Sequence, residues 1–159
     1  MLLYRITKEK YLTNFTGRGK SFSDGARWNS PGIPVLYFAC TPSVALLEMA
    51  NYVTSPRLVP KSYRFGIYEL PNTLSSKTLT IEDMPSDWAD FPYPTSTQAM
   101  GSEWLLSNES LCLIVPSVAV PAGMENIAVT NPSHPEIKDL KLSAVESDLY
   151  NKRAFQGIK

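Results

Sequence analysis

The sequence has no excess charge of either sign: 15 lysines and arginines balance 15 aspartates and glutamates, and the pI is near 6.6. A protein that grips a phosphate backbone needs a basic face to release counterions, so direct nucleic-acid binding by this chain is not expected. Histidine is limited to His134, and cysteine to Cys40 and Cys112, neither with a CxxC neighbour. A closed zinc site needs four such ligands, so no metal centre is expected. Both cysteines lie in apolar runs (VLYFAC and LCLIV), where a free thiol behaves as a small buried hydrophobe. No apolar run approaches the ~20 residues that cross a bilayer. The MLLYRITKEK start has only a short leucine stub before Arg5, too little for a secretion signal. The expectation is a soluble, cytoplasmic chain without membrane contact.

What is present is enough for one domain. The 159 residues are 43% apolar and 11% aromatic, which excludes a disordered chain. Thirteen prolines force frequent turns and exclude a long helical bundle. Short strands are predicted over 2–6 (LLYRI), 35–39 (VLYFA), 59–70, 111–120 and 126–130. Thr41-Pro42 reads as an N-cap followed by proline at the first helical position, opening a helix to about Tyr52. A second helix is predicted over 99–110. Gly- and Pro-rich stretches at 13–34 and 71–98 read as loops, the latter carrying Trp88, Phe91 and Tyr93 among its prolines. No further strand is predicted in the tail. The fold class is α+β, a single compact domain with a mixed sheet.

Two apparent phosphate motifs fail. Gly19-Lys20-Ser21 lacks the glycine that a P-loop needs, since that position is Asn14, and Gly17/Gly19 lack the third glycine of a dinucleotide fingerprint, which is Phe22. The chemistry-bearing residue is Glu48, the only charged residue between Arg27 and Arg57, set mid-helix in SVALLEMANY. A carboxylate there is costly unless it is paired or hydrogen-bonded, and isolated acids in apolar clefts mark functional sites. The competing reading is a thin wet stripe of an amphipathic helix. Arg27 opens ARWNSPG, a loop entering the strand before that helix, with Trp28 and Asn29 beside it.

Taken in order, Gly25-Ala26-Arg27-Trp28-Asn29-Ser30, PVLYFA, ALLE at 45–48 and VPS at 115–117 resemble the RES-domain toxins. LYRI (3–6), GSEWL (101–105) and NPSHP (131–135) extend the likeness over nearly the whole chain, one RES domain over 1–159. Ala26 stands in place of a frequent glycine, and Tyr52 where a histidine often follows the glutamate. The resemblance implies an ADP-ribosyltransferase-like fold, an activity that destroys NAD, and restraint by an Xre-like antitoxin protein. It also assigns the family's arginine, glutamate and serine to Arg27, Glu48 and Ser117.

The residue types suit that chemistry. Cleaving the nicotinamide–ribose bond passes through an oxocarbenium-like state, which an anionic Glu48 stabilises while holding a ribose hydroxyl. Arginine is the better bidentate cation for a diphosphate, which gives Arg27 its role. Ser117 either bonds the ribose or amide, or satisfies its own turn. Tyr37 is either a stacking face for the nicotinamide or adenine, or a core aromatic. Trp28 and Asn29 join Arg27 in a ligand-holding loop, and Tyr4 and Arg5 border the same pocket by position. NAD is the substrate, not a resident cofactor; phosphate, water or a protein is the acceptor, and the non-enzymatic alternative is a module whose acidic pocket docks a partner's arginine.

Overall fold

A computed structural model describes residues 1–53 and 55–151; Thr54 and the last eight residues of the expected 1–159 domain lie outside the described residues. Seven strands form one sheet: β1 (Leu2–Lys8), β2 (Leu36–Ala39), β3 (Tyr63–Glu69), β4 (Ser76–Thr78), β5 (Cys112–Pro116), β6 (Asn126–Thr130) and β7 (Lys141–Glu146). Their order is β4-β5-β6-β2-β1-β3-β7. Only β4 and β5 run parallel, so the sheet is mixed. Three helices accompany it: α1 (Lys20–Asp24), α2 (Pro42–Ala50) and α3 (Thr95–Ser107). The α+β class expected from the sequence holds. Among the described residues no helix is long and apolar enough to cross a membrane.

Period-two alternation divides each strand between two layers. On one face Leu3, Leu36, Phe38, Tyr68, Cys112 and Ala128 form a core closed by Leu111 and Leu140. The other face carries both long helices. Val44 and Ala45 of α2 pack on Ala39 and Phe65, and Trp104 and Leu105 of α3 pack with Trp28, Val35, Leu113, Val115 and Val129. α2 begins as its sequence dictates: the Thr41 Oγ1 accepts from the Val44 N–H at 3.3 Å and Pro42 fills the first turn. Both thiols are free, and burial pushes Cys40 and Cys112 up to about 11.

Three elements depart from expectation. β4, with all three residues exposed, falls inside the predicted 71–98 loop and sits at the sheet edge beside β5. α1 falls inside the predicted 13–34 loop, a single turn that stops where Gly25 takes φ +76°. β7 lies in the tail where no strand is predicted. Its KLSAVE side chains are almost all exposed, because it is an edge strand held by backbone bonds to β3, so hydrophobic periodicity had nothing to report. His134 caps the 3-10 turn over Pro135–Asp139, accepting from the Glu136 N–H at 3.3 Å.

α3 also fixes the loop that carries Arg27. Gln98, Gly101 and Ser102 share one helix face by their spacing of three and four. The Gln98 amide donates to the Ala26 carbonyl at 3.0 Å, and the Ser30 N–H donates to Ser102 Oγ at 2.9 Å. Between them Gly101 lets the helix touch the Trp28 backbone: a Cβ there would overlap the Trp28 carbonyl oxygen and sit 2.8 Å from its carbon. Gly101→Ala should therefore destabilise the fold by about 2–3 kcal/mol through overpacking, despite alanine's better helix propensity. Urea unfolding of the variant measures this; a wild-type midpoint would show that the loop yields freely.

Candidate active site

The site forms on the helical face of the sheet, where α2, the end of β5 and the two long loops converge. Glu48 is half-buried on the last turn of α2. Its Oε1 accepts from the Ser117 hydroxyl at 2.7 Å, and its Oε2 accepts from the Asn51 amide at 3.3 Å. Ser117, fully buried just after β5, also accepts from the Ala119 N–H at 3.1 Å. It thus satisfies its own turn and holds the carboxylate with the same oxygen. Its main chain is tied to the Glu125 carbonyl at 2.8 Å, ahead of β6, so the hydroxyl is aimed by the sheet. The charge of Glu48, costly among apolar neighbours, is offset by these two donors.

Arg27 is 8% exposed and reaches the same region from its loop. One Nη1 proton goes to the Trp88 carbonyl, and the guanidinium carbon lies 5.3 Å from the Tyr93 ring centre. Burial pulls the guanidinium pKa down, while Tyr93, Glu48, Asp90 and Tyr37 around it oppose that pull. Arginine remains a cation throughout the accessible pH range. Among the described residues Arg27 forms no ion pair within 4 Å, with Glu48 or any other carboxylate. The two charges feel each other without closing.

Trp28 and Asn29, beside Arg27 in the loop, are turned into the protein. Trp28 is fully buried against α3, its indole N–H without a hydrogen-bond partner among the described residues. Asn29 is fully buried too. Its amide nitrogen faces the carbonyls of Ser21, Ser30 and Ile33 at 2.7, 3.2 and 3.4 Å, and its oxygen accepts from the Tyr37 hydroxyl at 2.8 Å. Tyr37 in turn accepts from the Trp28 N–H at 3.2 Å. Burial pushes the Tyr37 hydroxyl far up, so it stays a neutral donor. Trp28, Asn29 and the Tyr37 hydroxyl are committed to shaping the loop; the half-buried Tyr37 ring remains near Arg27 and Tyr93.

Tyr4 and Arg5 are separated by strand alternation. Tyr4 faces the α2 side and packs on Phe65 with ring centres 5.9 Å apart. Arg5 lies on the opposite face, over Phe38 at 5.8 Å, with its Nη1 buried and unpartnered among the described residues. Neighbours in sequence cannot both line one face.

Three residues that the sequence reading did not assign to the site are Tyr52, Tyr93 and Asp90. Tyr52 lies two residues past the end of α2, in the turn where its N–H bonds the Met49 carbonyl at 3.0 Å. Its hydroxyl is pushed up to about 12 by desolvation and by the adjacent Tyr93 hydroxyl and Glu48. Tyr52 also lines a cavity of about 480 Å³ with Ile6, Met49, Leu58 and Tyr63. No charged side chain is among the residues that line that cavity, and neither Arg27 nor Glu48 borders it. Among the described residues no cluster of metal-ligating side chains occurs.

The model of the RES domain matches residues 2–150. The chain belongs to the RES-domain family. A protein named Toxin Res from Yersinia enterocolitica is 36% identical over 135 residues, covering 84% of this chain and 86% of the relative. Another Toxin Res, from Photorhabdus laumondii, is 37% identical over 134 residues, 83% of this chain and 82% of the relative. A protein named Prs ADP-ribosylating toxin, from a Sphingobium species, is 32% identical over 145 residues, 90% of this chain and 88% of the relative. The fold matches a chain in the crystal structure of the M. tuberculosis MbcT-MbcA toxin-antitoxin complex with TM-score 0.68 and 19% identity, covering 91% of this chain and 81% of that chain. The RES fold therefore accounts for the whole described sheet, and the relatives it matches carry toxin names.

Because Asn29 joins α1, the loop and β2 through four hydrogen bonds, its removal should matter more than that of its partner. Asn29→Ala should cost about 2–3 kcal/mol by orphaning several buried groups, and Tyr37→Phe about 1 kcal/mol. Denaturant unfolding of the two variants checks the ranking, which fails if Tyr37→Phe is the worse.

Proposed function

We propose that this RES-domain chain is a toxin that cleaves NAD at the nicotinamide–ribose bond, passing ADP-ribose to water or phosphate. The observation that supports the reading is the Ser117–Glu48 hydrogen bond at 2.7 Å, a held anion whose charge the buried Arg27 cation feels. Arg27 takes the diphosphate through its remaining N–H donors, which sets the nicotinamide riboside toward Glu48. As the C1′–N bond breaks, its electron pair leaves with neutral nicotinamide and positive charge grows on the ribose. Glu48, held by Ser117, faces that charge and accepts from a ribose hydroxyl. The acceptor oxygen then bonds C1′ and gives its proton to solvent. Nicotinamide leaves uncharged, so no strong acid is required.

The relative named Prs ADP-ribosylating toxin supports a second reading, in which a protein is the acceptor in the same cleft. Incubating the purified chain with NAD, with and without phosphate, separates the two. Nicotinamide released with no protein target supports cleavage; release only when a target protein is added supports transfer, and none under either condition overturns both. Glu48→Gln keeps shape and removes charge, so cleavage should fall about 10²–10³-fold while the melting temperature changes little. Full activity in that variant removes Glu48 from the mechanism.

A chain with this activity must be restrained, and the partner is an antitoxin of the Xre-like class. The Pro85–Tyr93 loop offers Phe91, 82% exposed, and Tyr93 at the cleft mouth, the aromatic type enriched in interface centres. Zero net charge leaves shape and hydrogen bonds to set the contact, with modest salt dependence. Calorimetry should find no NAD binding to the purified complex; undiminished affinity would exclude occlusion of the cleft.

A further inference from the structure

The loop that crosses the cleft does more than cover it. Asp87 is anchored by the Ser96 hydroxyl at 2.6 Å, on the first turn of α3, and Trp88 supplies the carbonyl that Arg27 meets. Five residues on, Tyr93 places its ring under the guanidinium, whose carbon lies 5.3 Å from the ring centre, with Phe91 edge-on behind it at 5.8 Å. The Arg27 fork thus has one bonded N–H and one aromatic neighbour. Of its five N–H donors, the Trp88 carbonyl takes one, and the others have no partner among the described residues. Tyr93 itself is 37% exposed, so its burial contributes little to the core.

A long arginine left free loses rotamer freedom each time it binds an anion, whereas one already held in plane does not. We propose that Tyr93 is a positioning residue: its ring holds the Arg27 guanidinium in the orientation that presents the unused donors to a dinucleotide diphosphate. The proposal rests on the reading of Arg27 as the diphosphate ligand. The hydroxyl of Tyr93, which sits beside that of Tyr52, is not needed for this role; the ring is.

The test compares Y93F and Y93L, alone and with R27K. Because pre-organisation lowers the cost of binding rather than of chemistry, Y93L should raise KM for NAD about tenfold with kcat within about twofold. Y93F, which keeps the ring, should stay within about threefold of wild-type KM by the same argument. On the R27K background, whose lysine has no planar face, Y93L should add less than about twofold. Side-chain NMR of Arg27, recorded without NAD, should find the guanidinium ordered in wild type and Y93F and mobile in Y93L. Equal mobility in wild type and Y93L, or a full tenfold effect of Y93L persisting on R27K, overturns the proposal. A guanidinium ordered by Tyr93 in a wild type that neither binds nor cleaves NAD overturns instead the function proposed above, together with the ligand named here.

Discussion

The site depends on one buried side chain that takes no part in chemistry, the Asn29 amide. A loop entering a strand has backbone donors and acceptors that no ladder satisfies, and burying them unpaired is costly. Asn29 answers several at once, bonding carbonyls before and after it and orienting the Tyr37 hydroxyl, which then caps the Trp28 N–H. The Ala26 and Asn29 main chains pair across the turn at 2.9 Å. With the backbone from Ala26 to Ser30 closed on itself and clamped by α3, Trp28 has one way to point and Arg27 the other. The cation in the cleft is a consequence of the amide beneath it.

Glu48 is positioned by a different route, through the sheet. α2 leaves β2 after a capped turn and packs back on β1 and β2, which brings its last turn beside the end of β5. β5 reaches that place because β6 bridges it to β2. Ser117 and Glu48 are 69 residues apart in sequence and 2.7 Å apart in space. The strand order thus does what neither local segment can, delivering a hydroxyl that accepts from its own turn and donates its proton to the carboxylate.

Elements whose local pattern matches their surroundings were legible in the sequence. β6 spans Asn126–Thr130 as predicted, and α2 begins at Pro42 behind its cap. The α3 span predicted over 99–110 begins a turn earlier, at Thr95, because Pro94 occupies the N-cap and needs no N–H there. β7 was illegible because an exposed edge strand carries no burial signal. In the site, Glu48 stood out as a lone charge in an apolar run, and Arg27 and Ser117 through the ordered family likeness. What the sequence could not convey was direction. Tyr4 and Arg5, adjacent in β1, diverge to opposite faces, and of the two buried polar residues Asn29 bonds its own loop while Arg27 reaches the Trp88 carbonyl and the Tyr93 ring.

The separation of Arg27 from Glu48 is itself informative. A closed ion pair would neutralise both groups, and breaking it on each binding event would cost desolvation and attraction together. Here the hydrogen-bond and ring partners of each charge are neutral instead. Glu48 accepts from a serine and an asparagine, and Arg27 meets a carbonyl and an aromatic face. Neutral partners orient a charged group without cancelling its field, and a field set before the reaction needs no reorganisation during it. A ligand carrying an anionic portion one sugar away from a centre that becomes cationic would meet complementary charge at both places. On the proposed reading, a ligand with only one of those features would leave the other charge unanswered.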